Sequence, residues 1–218
     1  HYALFGEHDP SGVNMTKITF SAKTKTSLET IRTECLVLPV FQSSKGVAIK
    51  PNGGSKLISK IADTLKLGDF SAVSGTTTLI TGDAGVKRVM LIGCGDKAKF
   101  DRSAQRVFAE AAGRELSKVK AKEAIVTLER MSLSAEDLRS TLEDLASQVV
   151  TACYVYTKTL TKSVDSPALR KMVITTDGSL SIPKVKAAIG TGEALGLGAN
   201  LARELGNTPG NICTPRFL

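Results

Sequence analysis

Short apolar runs alternate along the chain with longer stretches in which apolar residues recur every three or four positions. Each run is short and rich in β-branched residues, as buried strands are. We expect the second run to end near Pro39. The predicted strands are Lys17–Ala22, Glu34–Phe41, Thr76–Thr81, Lys87–Ile92, Glu123–Leu128 and Arg170–Thr176.

The periodic stretches predict amphipathic helices between the strands. The first is Lys56–Lys66, and Gly68 is expected to end it. Asp101 and Ser134 are the expected N-caps of the second and third helices, because short polar side chains accept hydrogen bonds from the free N–H groups of a first turn. Asp137, three residues after Ser134, makes that start similar to a capping box.

A fourth helix is predicted to begin at Pro183 and to end near Gly206. Four glycines in it, at positions 190, 192, 196 and 198, are compatible with a loop around a ligand. We favour close packing, because glycine lets another backbone approach and the intervening residues keep helical spacing. One face of this helix is expected to comprise Val185, Ala188, Gly192, Leu195, Ala199 and Ala202.

The order of elements, β-β-α-β-β-α-β-α-β-α, predicts an α/β fold. Helices between strands favour crossover connections, and therefore a mostly parallel or mixed sheet flanked by helices. We expect one such domain over residues 15–181, followed by a linker helix and connecting segment at 182–213.

The first and last residues of the sequence are expected to lie outside this α/β domain. The first residue is His1, and residues 1–14 are expected to be a leader or an added remnant before a native start at Met15. Thr214 and Pro215 have the pattern of a helix start, so residues 214–218 are expected to be the truncated beginning of a further domain.

The charge balance raises the question of an acidic partner. The 218 residues carry a formal charge of +8, and Lys87 to Arg130 holds eleven Lys or Arg against six Asp or Glu. The ordinary interpretation is a solvated face, and the alternative is contact with DNA phosphates. Aromatic residues make up only 5%, which argues against base stacking. The candidate DNA-binding residues are Lys87, Arg88, Arg114, Lys118, Lys120 and Lys122.

No catalytic or metal-binding residues are predicted in this chain. The only histidines are His1 and His8, so a nucleophile elsewhere has no histidine base. The four cysteines, at positions 35, 94, 153 and 213, are too far apart for a zinc motif and are expected to be reduced cytosolic thiols. No apolar run is long enough to form a transmembrane helix, so no membrane partner is expected.

The segment Gly93-Cys94-Gly95-Asp96-Lys97-Ala98 has the G-x-G-x-x-A spacing of a dinucleotide-binding turn. In that motif a helix N-terminus must adjoin the glycines and face the pyrophosphate. Here the expected cap is Asp101, whose carboxylate would occupy the free N–H groups and repel phosphate. We therefore favour a plain turn at the end of a strand.

The residues from Asn200 to Pro215 resemble the stretch in which the two domains of leucyl (cytosol) aminopeptidases meet. Arg203, Asn207, Pro209, Asn211 and Pro215 match that stretch. The segments VMLIGCG and LRKMVITT are also similar to strands of the family's N-terminal domain and follow the same order. The resemblance spans nearly the whole chain from Met15 and points to the bacterial type of the family.

The resemblance implies an N-terminal α/β domain similar to the macro-domain fold, with roles in assembly and regulation. It further implies a parent enzyme that forms hexamers and removes N-terminal residues from peptides. Two divalent metals, Mn or Zn, would be held by the missing C-terminal catalytic domain, so this chain alone is expected to be inactive. Some bacterial members bind DNA in recombination or transcriptional control, which is the alternative function for the basic residues.

Overall fold

A computed structural model describes residues 17–24, 26–28, 30–43, 46–47, 56–83, 85–157, 159 and 164–213. Within these ranges the strands are β1 (Thr19–Thr24), β2 (Thr33–Ser43), β3 (Gly46–Val47), β4 (Thr77–Thr81), β5 (Val86–Asp96), β6 (Glu123–Thr127) and β7 (Lys171–Thr176). The helices are α1 (Lys56–Lys66), a short 3₁₀ helix (Lys97–Lys99), α2 (Arg102–Lys118), α3 (Ala135–Ala152) and α4 (Ile182–Asn207).

The described strands form one mixed sheet in the order β1-β7-β6-β2-β5-β4, with β3 beside β2. Neighbouring strands from β1 to β5 in this order are parallel, whereas β4 and the short β3 are antiparallel to their neighbours. The α/β class and the mostly parallel, mixed sheet predicted from the sequence are thus confirmed.

Helices cover both faces of this sheet. Along each buried strand successive side chains point to opposite faces. In β2, Cys35 and Val37 belong to the core formed with α2, α3 and α4, whereas Leu36 and Leu38 belong to the core formed with α1. The strands are therefore apolar on both sides, as their unbroken apolar runs indicated.

Local capping accounts for the helix boundaries. The Asp101 side chain accepts a 3.0 Å hydrogen bond from the Ala104 N–H at the start of α2. The Ser134 Oγ accepts a 3.1 Å bond from the Asp137 N–H at the start of α3. Gly68 follows α1 with a φ of +83°, a conformation that glycine adopts without steric cost. These three predicted signals are confirmed.

The ends of β2 and β5 differ most from the prediction. β2 continues through Pro39 to Ser43, because β6 pairs with β2 only through Val37 and Pro39 needs a partner only in β5. β5 continues past Ile92 to Asp96. The expected ends of both strands were therefore wrong.

The predicted apolar face of α4 was also wrong in its second half. Val185, Ala188 and Gly192 are buried as expected, but Leu195 is 59% exposed. Ala199 and Ala202 are exposed as well. The buried positions instead continue through Gly196 to two polar residues, because α4 packs against α3 with glycine backbone and hydrogen-bonded side chains.

Several predictions concern residues outside the described ranges. These are the leader at 1–14 with its two histidines and the start of a further domain at 214–218. None of the helices in the described part of the chain combines the length and apolarity that a bilayer span requires.

Candidate functional site

The Gly93–Gly95 segment does not form a phosphate-binding turn. Both glycines lie inside β5, and the Gly93 N–H donates to the Thr76 carbonyl at 2.8 Å. The Gly95 N–H donates to the Ala72 carbonyl at 2.9 Å. A Cβ on Gly93 would lie 2.2 Å from the Val73 carbonyl oxygen, so this glycine accommodates the protein's own backbone. The plain turn that we expected at the end of this strand was therefore wrong. The N–H groups of Gly93 and Gly95 already donate hydrogen bonds within the fold.

Three candidate DNA-binding residues lie at the edge where the parallel strands begin. The Lys87 Nζ is 2.7 Å from Glu34 Oε1, and the Lys122 backbone N–H donates to Glu34 Oε2 at 2.6 Å. The hydrogen bond from Lys87, aided by the Lys122 N–H, lowers the pKa of Glu34 to about 2. Arg88 follows Lys87 in β5 and is half-buried.

The C-terminal end of α2 brings further candidates to the same edge. Glu115 Oε1 lies 3.0 Å from both Arg114 Nε and Lys118 Nζ. Partial burial opposes the change, but these hydrogen bonds outweigh it and lower the pKa of Glu115. Lys120 is exposed in the connection from α2 to β6. The edge is therefore basic, although the carboxylates of Glu34, Glu115 and Glu123 pair with some of its cations.

Cys35, Cys94 and Cys153 are not poised for nucleophilic chemistry. Burial raises the pKa of Cys35 and Cys153 to about 11 and that of Cys94 to about 12. All three thiols are buried, and Cys213 is half-buried. A thiol that stays protonated near neutral pH is a poor nucleophile and a poor metal ligand.

The described residues also contain no group of three or more His, Cys, Asp or Glu side chains able to hold a metal ion. A two-metal centre needs several such ligands around closely spaced ions. The donor set of the described residues therefore does not fit a dinuclear metal site.

Two glycines of α4 fit closely against α3. A Cβ on Gly192 would lie 2.1 Å from the Glu143 carbonyl oxygen, and a Cβ on Gly196 would lie 2.8 Å from Val150 Cβ. For these two positions the helix-packing interpretation is confirmed. A Cβ at Gly190 or Gly198 would have no neighbouring atom within 4 Å, so close packing among the described residues does not explain glycine at these two positions.

The last turns of α4 are fastened to the end of α3 by polar side chains. The Asn200 Nδ2 donates to the Val150 carbonyl at 3.0 Å, and the Arg203 Nη1 donates to the Thr151 carbonyl at 3.1 Å. The Tyr154 hydroxyl donates to Glu204 Oε2 at 2.6 Å. The bonds from Asn200 and Arg203 reach carbonyl groups in the last turn of α3, where the regular hydrogen bonds of the helix end. The segment that resembles the family's domain junction is thus held by the domain itself.

Sequence reasoning missed Tyr154 and Glu204 as a pair. The signal available was the four-residue spacing of Asn200 and Glu204, which places two polar residues on the same side of one helix. Their partners lie 50 residues earlier in the chain, so only the packing of α4 on α3 brings them together.

Comparison with known proteins identifies the family of this chain. The family model described as "Cytosol aminopeptidase family, N-terminal domain" matches residues 37–163. A probable cytosol aminopeptidase of Halorhodospira halophila is 30% identical over 192 residues, which cover 86% of this chain and 38% of the relative. The corresponding protein of Alkalilimnicola ehrlichii is 31% identical over 206 residues, covering 91% of this chain and 40% of the relative.

Solved structures show the same fold. A mutant of tomato leucine aminopeptidase superposes with a TM-score of 0.69 at 22% identity, over 93% of this chain and 41% of that one. A bottromycin maturation enzyme superposes with a TM-score of 0.60 at 18% identity, over 85% of this chain and 35% of that one.

The chain spans about two fifths of the length of the curated relatives it matches. The matched residues include β5, α2, β6 and α3 with the core between them. This chain belongs to the cytosol aminopeptidase family and carries its N-terminal domain.

Proposed function

We propose that this chain is the assembly and regulatory domain of a dinuclear metal-dependent leucyl aminopeptidase, which removes N-terminal amino acids from peptides in the cytoplasm. The observation that carries the proposal is the junction at the end of α4. There the segment similar to the family's domain boundary is bound to α3 through Asn200, Arg203 and Glu204. Such a junction defines the direction in which the chain leaves the domain.

In this proposal the peptidase chemistry belongs to the C-terminal catalytic domain. Two Mn or Zn ions there would activate water and polarise the scissile carbonyl. The described residues of the present chain hold no ligand cluster for such ions. In this proposal the 218-residue chain is inactive by itself.

The test compares the purified chain with its full-length parent on a leucyl chromogenic substrate, with Mn²⁺ or Zn²⁺ in excess. We expect metal-dependent turnover by the parent and none by the chain. Mixing the inactive chain with the parent controls for an inhibitor in the preparation. Metal-dependent turnover by the pure chain would refute the proposed division of roles, and an inactive parent would refute the proposed reaction.

We further propose that the parent assembles as a hexamer to which this domain contributes contacts. Closed symmetric assemblies of identical chains are the usual form of soluble oligomers. Native mass spectrometry of the parent, compared with a variant lacking residues 1–181, tests this contribution. A hexamer that forms equally well without those residues would contradict it.

A second candidate function is DNA binding, and the basic edge of the sheet is the observation that favours it. Lys118 and Lys120 are exposed there, together with Lys122. Glu34 and Glu115 pair with some of the neighbouring cations but leave the edge with an excess of positive charge. Lysines on such a surface bind phosphates in a sequence-independent and salt-dependent manner.

Gel-shift titrations over a series of salt concentrations test this function. If the edge binds DNA, charge reversal at Lys118, Lys120 and Lys122 should weaken binding and reduce the slope of log K against log salt by about 1 for each lysine that contacts a phosphate. The matched control reverses Lys184 and Lys186, which are exposed at the start of α4. Absence of binding at low salt, or equal effects of both variants, would exclude the basic edge as the binding site.

A further inference from the structure

The C-terminal half of α4 has an inverted distribution of polarity. Its side against α3 carries Asn200 and Glu204, which are 2% and 3% exposed. Its outer side carries Leu195 and Leu201, which are 59% and 42% exposed. A helix on the surface of a self-contained domain normally turns its apolar side inward and its polar side to solvent. The outer side of α4 therefore has the character of a buried surface.

Charge is absent from this outer side over several turns. Every exposed residue from Ala187 to Ala202 is uncharged, and these exposed residues are here called the α4 outer face. Within that range the only charged residue, Glu193, is half-buried. An exposed face of this kind that also carries large apolar side chains is typical of a surface on which another protein packs.

The later part of the α4 outer face, from Ala194 onward, lies beyond the groove that α4 forms with β1. The groove between β1 and α4 is lined by residues at the start of β1 and, on α4, by residues no later than Glu193. α4 continues to Asn207. At 1.5 Å per residue, this extension is about 20 Å long. The contacts given for it above, from Gly196 to Glu204, are all with α3 or with the turn that follows α3.

Gly198 provides an independent indication of a close neighbour. A Cβ at this position would meet no atom within 4 Å, so no contact among the described residues requires glycine. Glycine inside an exposed helix costs stability relative to alanine. Gly192 and Gly196, in contrast, are required by the approach of α3. An exposed glycine between Leu195 and Leu201 is explained if a second backbone approaches α4 from the outer side.

We propose that the α4 outer face is the docking surface for the catalytic domain that follows in the parent protein, a proposal that rests on the function proposed above. The matching family model is that of an N-terminal domain, and the relatives are about two and a half times as long as the region matched. A partner joined to the end of α4 lies next to this surface at high effective concentration. The partner surface is expected to be apolar and to place a helix or strand backbone over Gly198.

Hydroxyl-radical footprinting of the 218-residue chain and of the parent tests whether the catalytic domain covers the α4 outer face. In the isolated chain Leu195 and Leu201 should be oxidised readily, as their exposure requires. In the parent their oxidation should fall to the level of Leu142, which is 0% exposed. Leu67, 74% exposed after α1, is the internal control and should be oxidised equally in both proteins.

Leucyl peptidase activity is measured on the same parent sample. An active parent in which Leu195 and Leu201 remain as reactive as in the chain would overturn the docking surface and leave the proposed function intact. An inactive parent in which both leucines are protected would support the docking surface and count against the proposed reaction. Protection of Leu195 and Leu201 in the isolated chain would also overturn the proposal. If that protection is lost on dilution, the occupant of the face is a second copy of the chain. If the protection persists on dilution, the occupant is a segment of the same chain.

A pair of variants provides a readout that does not depend on oxidation. Leu195→Asp with Leu201→Asp should lower the melting temperature of the 218-residue chain only by the small cost of the poorer helix propensity of aspartate, because both side chains are exposed there. The same pair should lower the melting temperature of the parent by clearly more. The control pair, Leu67→Asp with Leu79→Asp, replaces leucines that are 74% and 48% exposed and should have the same small effect on both proteins. A parent that tolerates both pairs equally would contradict the proposal.

Discussion

The Tyr154 hydroxyl donates a 2.6 Å hydrogen bond to the carboxylate of Glu204. This bond joins the turn that follows α3 to the last turns of α4, across 50 positions of sequence. Glu204 is 3% exposed, and its backbone carbonyl also accepts a 2.7 Å bond from the Thr208 hydroxyl. A buried carboxylate requires partners, so this pair helps to determine where the chain leaves the domain.

Tyr154→Phe is expected to destabilise the domain. Removal of the hydroxyl takes a hydrogen-bond donor from a buried carboxylate, which costs about 1–3 kcal/mol in the free energy of unfolding. The measurement is urea unfolding of the 218-residue chain at neutral pH. Tyr156→Phe is the matched control, because the Tyr156 hydroxyl accepts only a long 3.4 Å bond from Thr159. Equal stability of the two variants would show that the pair is dispensable.

The hydrogen bond between Tyr154 and Glu204 also predicts a loss of stability at alkaline pH. Burial, together with the hydrogen bond to Glu204, raises the pKa of Tyr154 from 10.0 to about 12. The folded state therefore holds the phenol proton more tightly than the unfolded state. The resulting stabilisation is complete below pH 10 and is lost as the pH rises towards 12. Unfolding free energies across this range should fall less steeply in Tyr154→Phe than in the unmodified chain.

The lowered pKa of Glu34 predicts that the folded domain loses stability at acidic pH. The hydrogen bond from the Lys87 side chain, followed by that from the Lys122 N–H, lowers the pKa of Glu34 from 4.5 to about 2. Its contribution to stability is therefore complete above pH 4.5 and is lost as the pH falls towards 2. Glu34→Gln should flatten the acid limb of a stability profile in this range. Asp63→Asn is the control, because the Asp63–Lys66 pair has side chains 71% and 77% exposed and should contribute little.

Alanine at two glycines of α4 should change stability in opposite directions. At Gly192 the new Cβ would lie 2.1 Å from the Glu143 carbonyl oxygen, so α4 must move away from α3 at a cost of about 1–3 kcal/mol. At Gly198 the Cβ meets nothing, and the better helix propensity of alanine should add about 0.5–1 kcal/mol. Thermal unfolding of the isolated chain measures both. Similar changes at the two sites would mean that α4 does not pack on α3 as described.

Thiol labelling should separate Cys213 from the other cysteines. Cys35, Cys94 and Cys153 are buried, and burial raises their pKa values to between about 11 and 12. Because the thiolate is the reactive form, a maleimide at neutral pH should label Cys213 first in the folded chain. Denaturation should make all 4 cysteines reactive. Rapid labelling of a folded Cys213→Ser variant would contradict the burial of the other three.

Much of the fold could be predicted because its signals are local. The caps at Asp101 and Ser134 depend on atoms within three residues of the cap, and both are confirmed. The glycine that ends α1 needs only its own φ angle of +83°. The length of β5 was underestimated because the glycine-rich end of this strand is paired with the distant Ala72–Thr76 segment.

The sequence by itself determined the α/β class, the family and the order of the strands and helices other than the short β3 and 3₁₀ helix, because these follow from local periodicity, capping residues and a contiguous segment. The tertiary structure alone decided which side of α4 is buried and which residues meet around Glu34 and Glu204. Which face of a helix is buried depends on what packs against that face. The face of α4 that packs against α3 carries glycines and polar side chains that form hydrogen bonds. The apolar residues that periodicity assigns to a core, such as Leu195, consequently remain on the outside.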